Sequence, residues 1–222
     1  MRILALQGIR GGVGTTSIVA GLALAAWEQG ARVLAIDLCP DNLLGLHLGL
    51  PQDHARGWSR LADPAREWRS ALSAYESGLD LLPHGGQPAS LSGDWLAALA
   101  GYDLVLLDLP PGPVPAAVSR LLTVVNADAN CHVRLYRHAC AADERLLVTQ
   151  FTSRRALQQD LLDLWLAGGQ PLLSLRLHRD EAMAEAMAAK QPVGRYAPDS
   201  LIAHEIGTLA RWCLDAGDEG AC

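Results

Sequence analysis

Short, nearly unbroken apolar runs recur along this chain, at Ile3–Gln7, Val33–Asp37, Leu79–Leu82, Leu104–Asp108, Leu121–Val125, Leu146–Thr149 and Leu172–Leu175. Runs of this kind, without strict alternation, predict parallel strands covered on both faces. Between them the spacing turns helical over Thr16–Gln29, Asp94–Ala100, Arg154–Ala167 and Glu181–Lys190. A last segment, Ser200 to Leu214, is amphipathic, with Leu201, Ile202, Ile206, Leu209 and Cys213 on its apolar face. It ends in an acidic tail, residues 215–219, whereas a membrane-surface helix would want lysine and arginine on its polar face, so it is expected to pack on the core. Strand and helix alternate, which predicts an α/β fold: a doubly wound, mainly parallel sheet with helices on both faces. The Pro/Gly-rich stretches 83–92 and 110–115 read as loops at strand ends, so residues 1–222 are expected to form one domain.

Sheets of this type bind ligands beyond the carboxyl ends of their strands, and the candidate chemistry lies there. The first strand runs into Ile9-Arg10-Gly11-Gly12-Val13-Gly14-Thr15-Thr16-Ser17, and a helix follows. A glycine-rich turn opening a helix is a phosphate cradle, because its N–H groups close on the anion and the helix dipole adds to them. Thr16 stands where a P-loop places its Mg²⁺-binding hydroxyl. The lysine expected just before it is Thr15, and the only lysine in the chain is Lys190. Arg10 is then the cation within the loop, able to grip two phosphate oxygens at once.

Two strand-end carboxylates follow in order. Asp37 closes the second strand, ahead of Leu38-Cys39-Pro40-Asp41-Asn42, and Asp108 closes the run Leu104–Leu107. A carboxylate in such a place needs a cation or a donor, or it caps a turn. The order loop, Asp37, Asp108 matches a Mg²⁺ site in which both aspartates act through water and Asp108 is the Walker B residue.

Composition narrows the class. Hydrophobic residues make up 50% of the chain, the net charge is −6 and the pI is about 5.6, which argues against a broad nucleic-acid surface. Five scattered cysteines without C-x-x-C spacing point to a reducing compartment and away from a structural zinc or iron–sulfur site. No secretory signal and no bilayer-length apolar run is visible, so the expectation is a cytoplasmic protein without direct membrane insertion.

Arg10–Ser17, Asp37–Asn42 and Tyr102–Gly112 together resemble the MinD/ParA class of P-loop ATPases, whose deviant Walker A motif carries its signature cation where Arg10 stands. More narrowly the chain resembles the BcsQ family, encoded with bacterial cellulose synthase. That likeness rests on Leu6–Thr16, Cys39–Leu44, Gly57-Trp58, Leu79–Pro83, Asp128–His132, His178–Glu185 and Ala189–Gly194. The resemblance implies a homodimer sandwiching ATP, in which Arg10 reaches the partner subunit's nucleotide. It implies that Gly11, Gly12, Val13, Gly14, Thr15, Thr16 and Ser17 surround the phosphates, with Thr16 on Mg²⁺. It places the assembly on the cytoplasmic side of cellulose synthase, peripheral to the inner membrane through a small BcsR-like protein and a BcsE-like regulator. In this class the adenine pocket is built from a late strand end, here Thr149–Phe151, and from the segment 177–192. Thr149, His178 and Arg179 are the candidates for it, and Asp180 either lines the pocket or caps the next helix.

Two departures matter. The class uses a second aspartate to orient the attacking water, and Cys39 occupies that place; a neutral thiol is a poor substitute. Thr15 replaces the lysine that neutralises charge on the transferring phosphoryl group. Electrostatic contributors of this kind are worth roughly 2.7–4 kcal/mol each, so turnover is expected to be slow, a weak ATPase at most. Asp41 is the candidate replacement base. Competing readings are a ParA-like positioning ATPase on the nucleoid, which the acidic charge disfavours, and a structural pseudo-ATPase. Of the remaining features, Trp58, Trp68 and Trp95 read as core. Arg154-Arg155 read as a solvated pair or an anion contact opening a helix, and Cys131-His132 lack the third group a nucleophile needs.

Overall fold

A computed structural model describes residues 1–89, 95–96 and 99–215. Its first half runs β1 (Arg2–Gly8), α1 (Thr15–Glu28), β2 (Val33–Asp37), α2 (Leu44–His47), α3 (Pro64–Glu67), β3 (Ser73–Glu76), β4 (Leu79–Leu82) and β5 (Leu104–Leu109). The second half runs β6 (Arg120–Asn126), α4 (Ala129–Leu135), β7 (Glu144–Phe151), α5 (Ala156–Ala167), β8 (Leu172–His178), α6 (Glu181–Ala188), α7 (Val193–Tyr196) and α8 (Leu201–Asp215). The strands form one sheet in the order β3-β4-β2-β5-β1-β6-β7-β8. Every pairing is parallel except β3 with β4.

Apolar runs become two-sided strands because successive side chains leave opposite faces of the sheet. Leu4, Leu6, Val33, Ala35, Leu104 and Leu106 join the core beneath α1 and α8. Their neighbours Ile3, Ala5, Leu34, Ile36, Val105 and Leu107 join a second core on the other face, with Trp58, Trp68 and Trp95. A third cluster under α5 gathers Val125, Val148, Phe151, Leu161 and Trp165. Helix α1 is buried nearly all round, from Ile18 to Ala26, because α8 covers the side turned away from the sheet. That burial accounts for its lack of a polar face.

The predicted strands all form, and several extend by a residue or more: β7 begins at Glu144 and β8 reaches His178. The edge strand β3 was not predicted, since Ser73-Ala74-Tyr75-Glu76 has no apolar run. Helix α4 was not predicted either; Asp128 caps it by accepting from the Cys131 N–H at 2.8 Å. Arg154 and Arg155 do not open a helical turn as expected. They are exposed and precede α5, which begins at Ala156 with Arg155 as its extended N-cap, so their charge meets no helix interior. Of the helix expected over Asp94–Ala100, residues 94, 97 and 98 lie outside the described residues; Trp95, Leu96 and Leu99 are buried, and residues 99–100 are not helical.

The loop after β2 is tied down by distant residues. Trp58 Nε1 donates to the Asp37 carbonyl at 2.7 Å, and the Gly85 N–H donates to Asn42 Oδ1 at 3.1 Å. Gly57 allows this, because a Cβ there would lie 2.3 Å from the Gly85 nitrogen, with no flexible side chain to yield. Gly57→Ala is expected to destabilise the fold by about 1–3 kcal/mol, the usual cost of overpacking. Chemical denaturation checks this, with Gly207→Ala, where nothing lies within 4 Å of the built Cβ and the backbone is helical, as the contrasting variant.

Candidate functional site

Strands β1, β2 and β5 end side by side. The register pairs Leu6 with Asp108 and Asp37 with Asp108, and the glycine loop that follows Gly8 shares one cavity with Asp108. Gly8 is the hinge of that arch: a Cβ on it would stand 2.6 Å from the Arg10 carbonyl oxygen and 2.8 Å from Val13 Cγ2. Gly12 and Gly14 take left-handed backbone. Helix α1 starts without a side-chain cap and without an acidic residue in its first turn, so its leading N–H groups are free for an anion.

The loop and the two strand ends enclose a cavity of about 290 Å³, lined by Gly8, Arg10–Gly12, Gly14–Ser17, Cys39–Asp41 and Asp108–Pro111. Gln7 fixes its far rim by donating to the Pro110 and Gly112 carbonyls at 2.7 and 3.1 Å. Asp108 is 1% exposed, and neither of its carboxylate oxygens has a hydrogen-bond partner among the described residues. Burial raises its carboxyl to about 6, with the Thr16 hydroxyl and Cys39 thiol close enough to offset part of the rise. Asp37 is fully buried and pushed up to about 8, first by burial and then by the charge of Asp108. Both its oxygens accept backbone N–H groups, from Cys39 at 2.9 Å and from Leu44 at 3.0 Å. Asp37 therefore shapes the loop from behind Asp108 and does not itself line the cavity. Burial and the two carboxylates hold the Cys39 thiol well above its ordinary range, hence neutral. Asp41 is exposed on the rim.

Arg10 turns onto its own subunit. Its Nη2 lies 2.6 Å from Asp128 Oδ2 and its Nη1 donates to the Gly11 carbonyl at 2.9 Å. That ion pair raises the guanidinium further; the Asp128 carboxyl moves down, because N–H bonds from Cys131 and Arg10 outweigh its burial.

A second cavity of about 380 Å³ adjoins the first across Gly14, Ser17 and Met187. Thr149, His178, Arg179 and Asp180 line it together with Val13, Ile18, Met183 and Ile202. Asp180 also caps α6 through the Ala182 N–H at 3.0 Å. Three residues of these sites escaped sequence reasoning, Asp128, Glu205 and His47, whereas Gln150 lies in the predicted strand end Thr149–Phe151. Gln150, with φ 53°, donates to the Gly12 carbonyl at 3.4 Å. Glu205 binds His178. The only local signal among the three missed residues is Asp128, in the N-cap position after β6. Cys131 and His132 do not pair as a nucleophile and base: Cys131 is buried, and His132 Nδ1 accepts from Trp165 Nε1 at 3.0 Å.

The sequence profile described as "Cellulose biosynthesis protein BcsQ" matches residues 1–214. The Escherichia coli K12 cellulose biosynthesis protein BcsQ is 42% identical over 236 aligned positions, covering 96% of this chain and 94% of that protein. This chain belongs to the BcsQ family. Its fold is that of MinD and ParA ATPases. The Aquifex aeolicus cell division protein MinD superposes with a TM-score of 0.77 at 17% identity, covering 99% of each chain. The Pyrococcus horikoshii septum site-determining protein MinD, solved in complex with Mg-ADP, gives 0.73 at 22% identity, covering 96% of this chain and 95% of that one. The BcsQ-family segments quoted above, Leu6–Thr16 and Cys39–Leu44, are the ones that build the first cavity.

His47 stands behind the loop, 3% exposed, with Nε2 3.3 Å from Ser17 Oγ. Burial lowers its imidazole to about 4. The folded state thus binds this proton less readily than the unfolded chain, whose imidazole titrates near 6.5. The contribution is full above about 6.5 and is lost as pH falls toward 4. The stability difference between wild type and His47→Leu should therefore shift against the wild type over that window. Denaturant unfolding of both proteins at several pH values checks the sign.

Proposed function

We propose that this protein is an ATP–Mg²⁺-binding molecular switch of the cellulose synthesis machinery, with slow hydrolysis at most. The observation that carries the reading is Asp108, a buried carboxylate with both oxygens unpartnered, under a glycine loop and an uncapped helix start. A bare buried carboxylate is costly unless a cation meets it. Mg²⁺ prefers oxygen ligands and keeps several waters. The residues fit it: the Thr16 hydroxyl would bind it, Asp108 would hold it through water, and Asp37 would stand behind through another. When bound, the ion would neutralise charge on the β- and γ-phosphates. The chain's own groups do the rest. The N–H groups of residues 11–16 bind phosphate oxygens, and the second cavity receives the base.

Dimerisation follows from Arg10 in this reading. Its guanidinium sits at the mouth of the cavity, held by Asp128, and is the charge available to a nucleotide presented by a second subunit. The bound dimer would then be the form recognised by BcsR-like and BcsE-like partners at the cytoplasmic face of cellulose synthase. No described helix is long and apolar enough to cross a membrane, so in this reading membrane contact runs through partners.

Slow hydrolysis is favoured by the neutral Cys39 and by Thr15. Neither can orient water or stabilise transferred charge as a carboxylate and a lysine would, while the binding groups are retained. Calorimetry is expected to show Mg²⁺-dependent ATP binding that Thr16→Ala weakens. Absence of ATP binding by folded wild type would refute the reading. Steady-state turnover should lie orders of magnitude below the roughly 10 s⁻¹ typical of enzymes and should rise with Cys39→Asp. Rapid wild-type turnover abolished by Thr16→Ala would show a catalytic group elsewhere, with Asp41 the first to test.

A further inference from the structure

The second cavity has an apolar floor and one unusually well-held polar side chain. Val13, Ile18, Met183 and Met187 give surfaces against which a flat heteroaromatic ring can lie, the methionine sulfurs among them. His178 ends β8 at the rim, its ring edge-on to Phe151 with centroids 5.3 Å apart. Glu205 reaches it from α8, twenty-seven residues on. Glu205 Oε2 accepts the His178 backbone N–H at 2.8 Å, and Oε1 lies 2.5 Å from His178 Nδ1. Glu205 is nearly buried, so both halves of its carboxylate are committed to one residue. Of the other polar side chains lining it, Asp180 caps α6, Arg179 bonds Glu181 at 3.2 Å, Gln150 holds the glycine loop and Ser17 meets His47, while the Thr149 hydroxyl has no side-chain hydrogen bond among the described residues.

A carboxylate can only accept. In the neutral ring the proton must therefore sit on Nδ1, which leaves Nε2 with a lone pair. Nε2 has no hydrogen-bond partner among the described residues. We propose that Glu205 is a positioning residue that sets base selectivity: by fixing His178 as an Nε2 acceptor, it favours a purine carrying a 6-amino donor and disfavours one carrying a 6-oxo acceptor. This inference rests on the nucleotide reading above and adds to it the residue pair that distinguishes adenine from guanine or hypoxanthine.

Glu205→Gln makes the test sharp. The glutamine oxygen can still accept the His178 backbone N–H, but its amide then donates to Nδ1. The ring proton moves to Nε2, which becomes a donor suited to a 6-oxo purine. The experiment is calorimetric titration of wild type, Glu205→Gln and His178→Ala with Mg²⁺–ATP and Mg²⁺–inosine triphosphate above neutral pH. Nitrogen-15 NMR of the histidine rings accompanies it. Wild type should prefer ATP by about tenfold, the worth of one hydrogen bond gained against one acceptor pair opposed. His178→Ala should bring the ratio close to one while phosphate binding persists. Glu205→Gln should bring it to one or below, and the His178 signal should change from the Nδ1–H to the Nε2–H form. Equal wild-type affinity for the two nucleotides would overturn this inference and leave the nucleotide reading standing. So would an unchanged ratio in folded His178→Ala. Failure of wild type to bind either nucleotide would overturn both.

Discussion

Two carboxylates on adjacent strands, both removed from water, are the constraint around which this molecule is organised. The parallel register of β2 with β5 sets Asp37 beside Asp108. Burial raises both carboxyls, and the charge of Asp108 raises Asp37 further. Backbone donors relieve only one of them. Asp37 receives two backbone N–H groups, whereas Asp108 receives none. The surroundings keep that asymmetry in place: Trp58 pins the end of β2, Asn42 ties its loop to Gly85, and Gly57 makes room for the contact. A polar site of this kind costs stability and persists where something outside the chain completes it.

In the proposed reading what completes it is cationic on the Asp108 side and anionic on the loop side, since the loop offers N–H groups, a helix start and Arg10. Mg²⁺ with a polyphosphate has that polarity. Cys39 marks the limit of what the site does with it. Burial first, and then the neighbouring carboxylates, keep the thiol protonated, so the residue at the place of a water-orienting base has no charge to offer. In the proposed reading this is why binding is retained while turnover is slow.

Much of this was legible in the sequence because the relevant residues are local. The glycine loop follows directly on β1, Asp37 and Asp108 stand in the last two residues of β2 and β5, and strands buried on both faces announce themselves as apolar runs. Trp58, Trp68 and Trp95 read as core and are core. What stayed hidden depends on distance or on weak local pattern. Asp128 meets Arg10 across 118 residues, and Glu205 meets His178 across the whole of α6 and α7. His47 reaches Ser17 only because α2 folds beneath the loop. Strand β3 has a partner in β4 instead of an apolar run, and α4 is short and polar on its outer side, so neither carries a periodic signal. Arg154 and Arg155 looked like an unfavourable helix start because the spacing of α5 continues two residues past its true beginning.

The central claim is that Asp108 is held at a cost to stability for the sake of a bound cation. Equilibrium unfolding of wild type and Asp108→Asn, each with and without Mg²⁺–ATP, tests it most directly. Without ligand the variant should be at least as stable as wild type, because a buried unpartnered carboxylate has been made neutral. With nucleotide at about 100 times Kd, wild type should gain about 2.7 kcal/mol, and the variant should gain clearly less. A variant that is less stable without ligand, or that gains as much as wild type from Mg²⁺–ATP, would contradict the account.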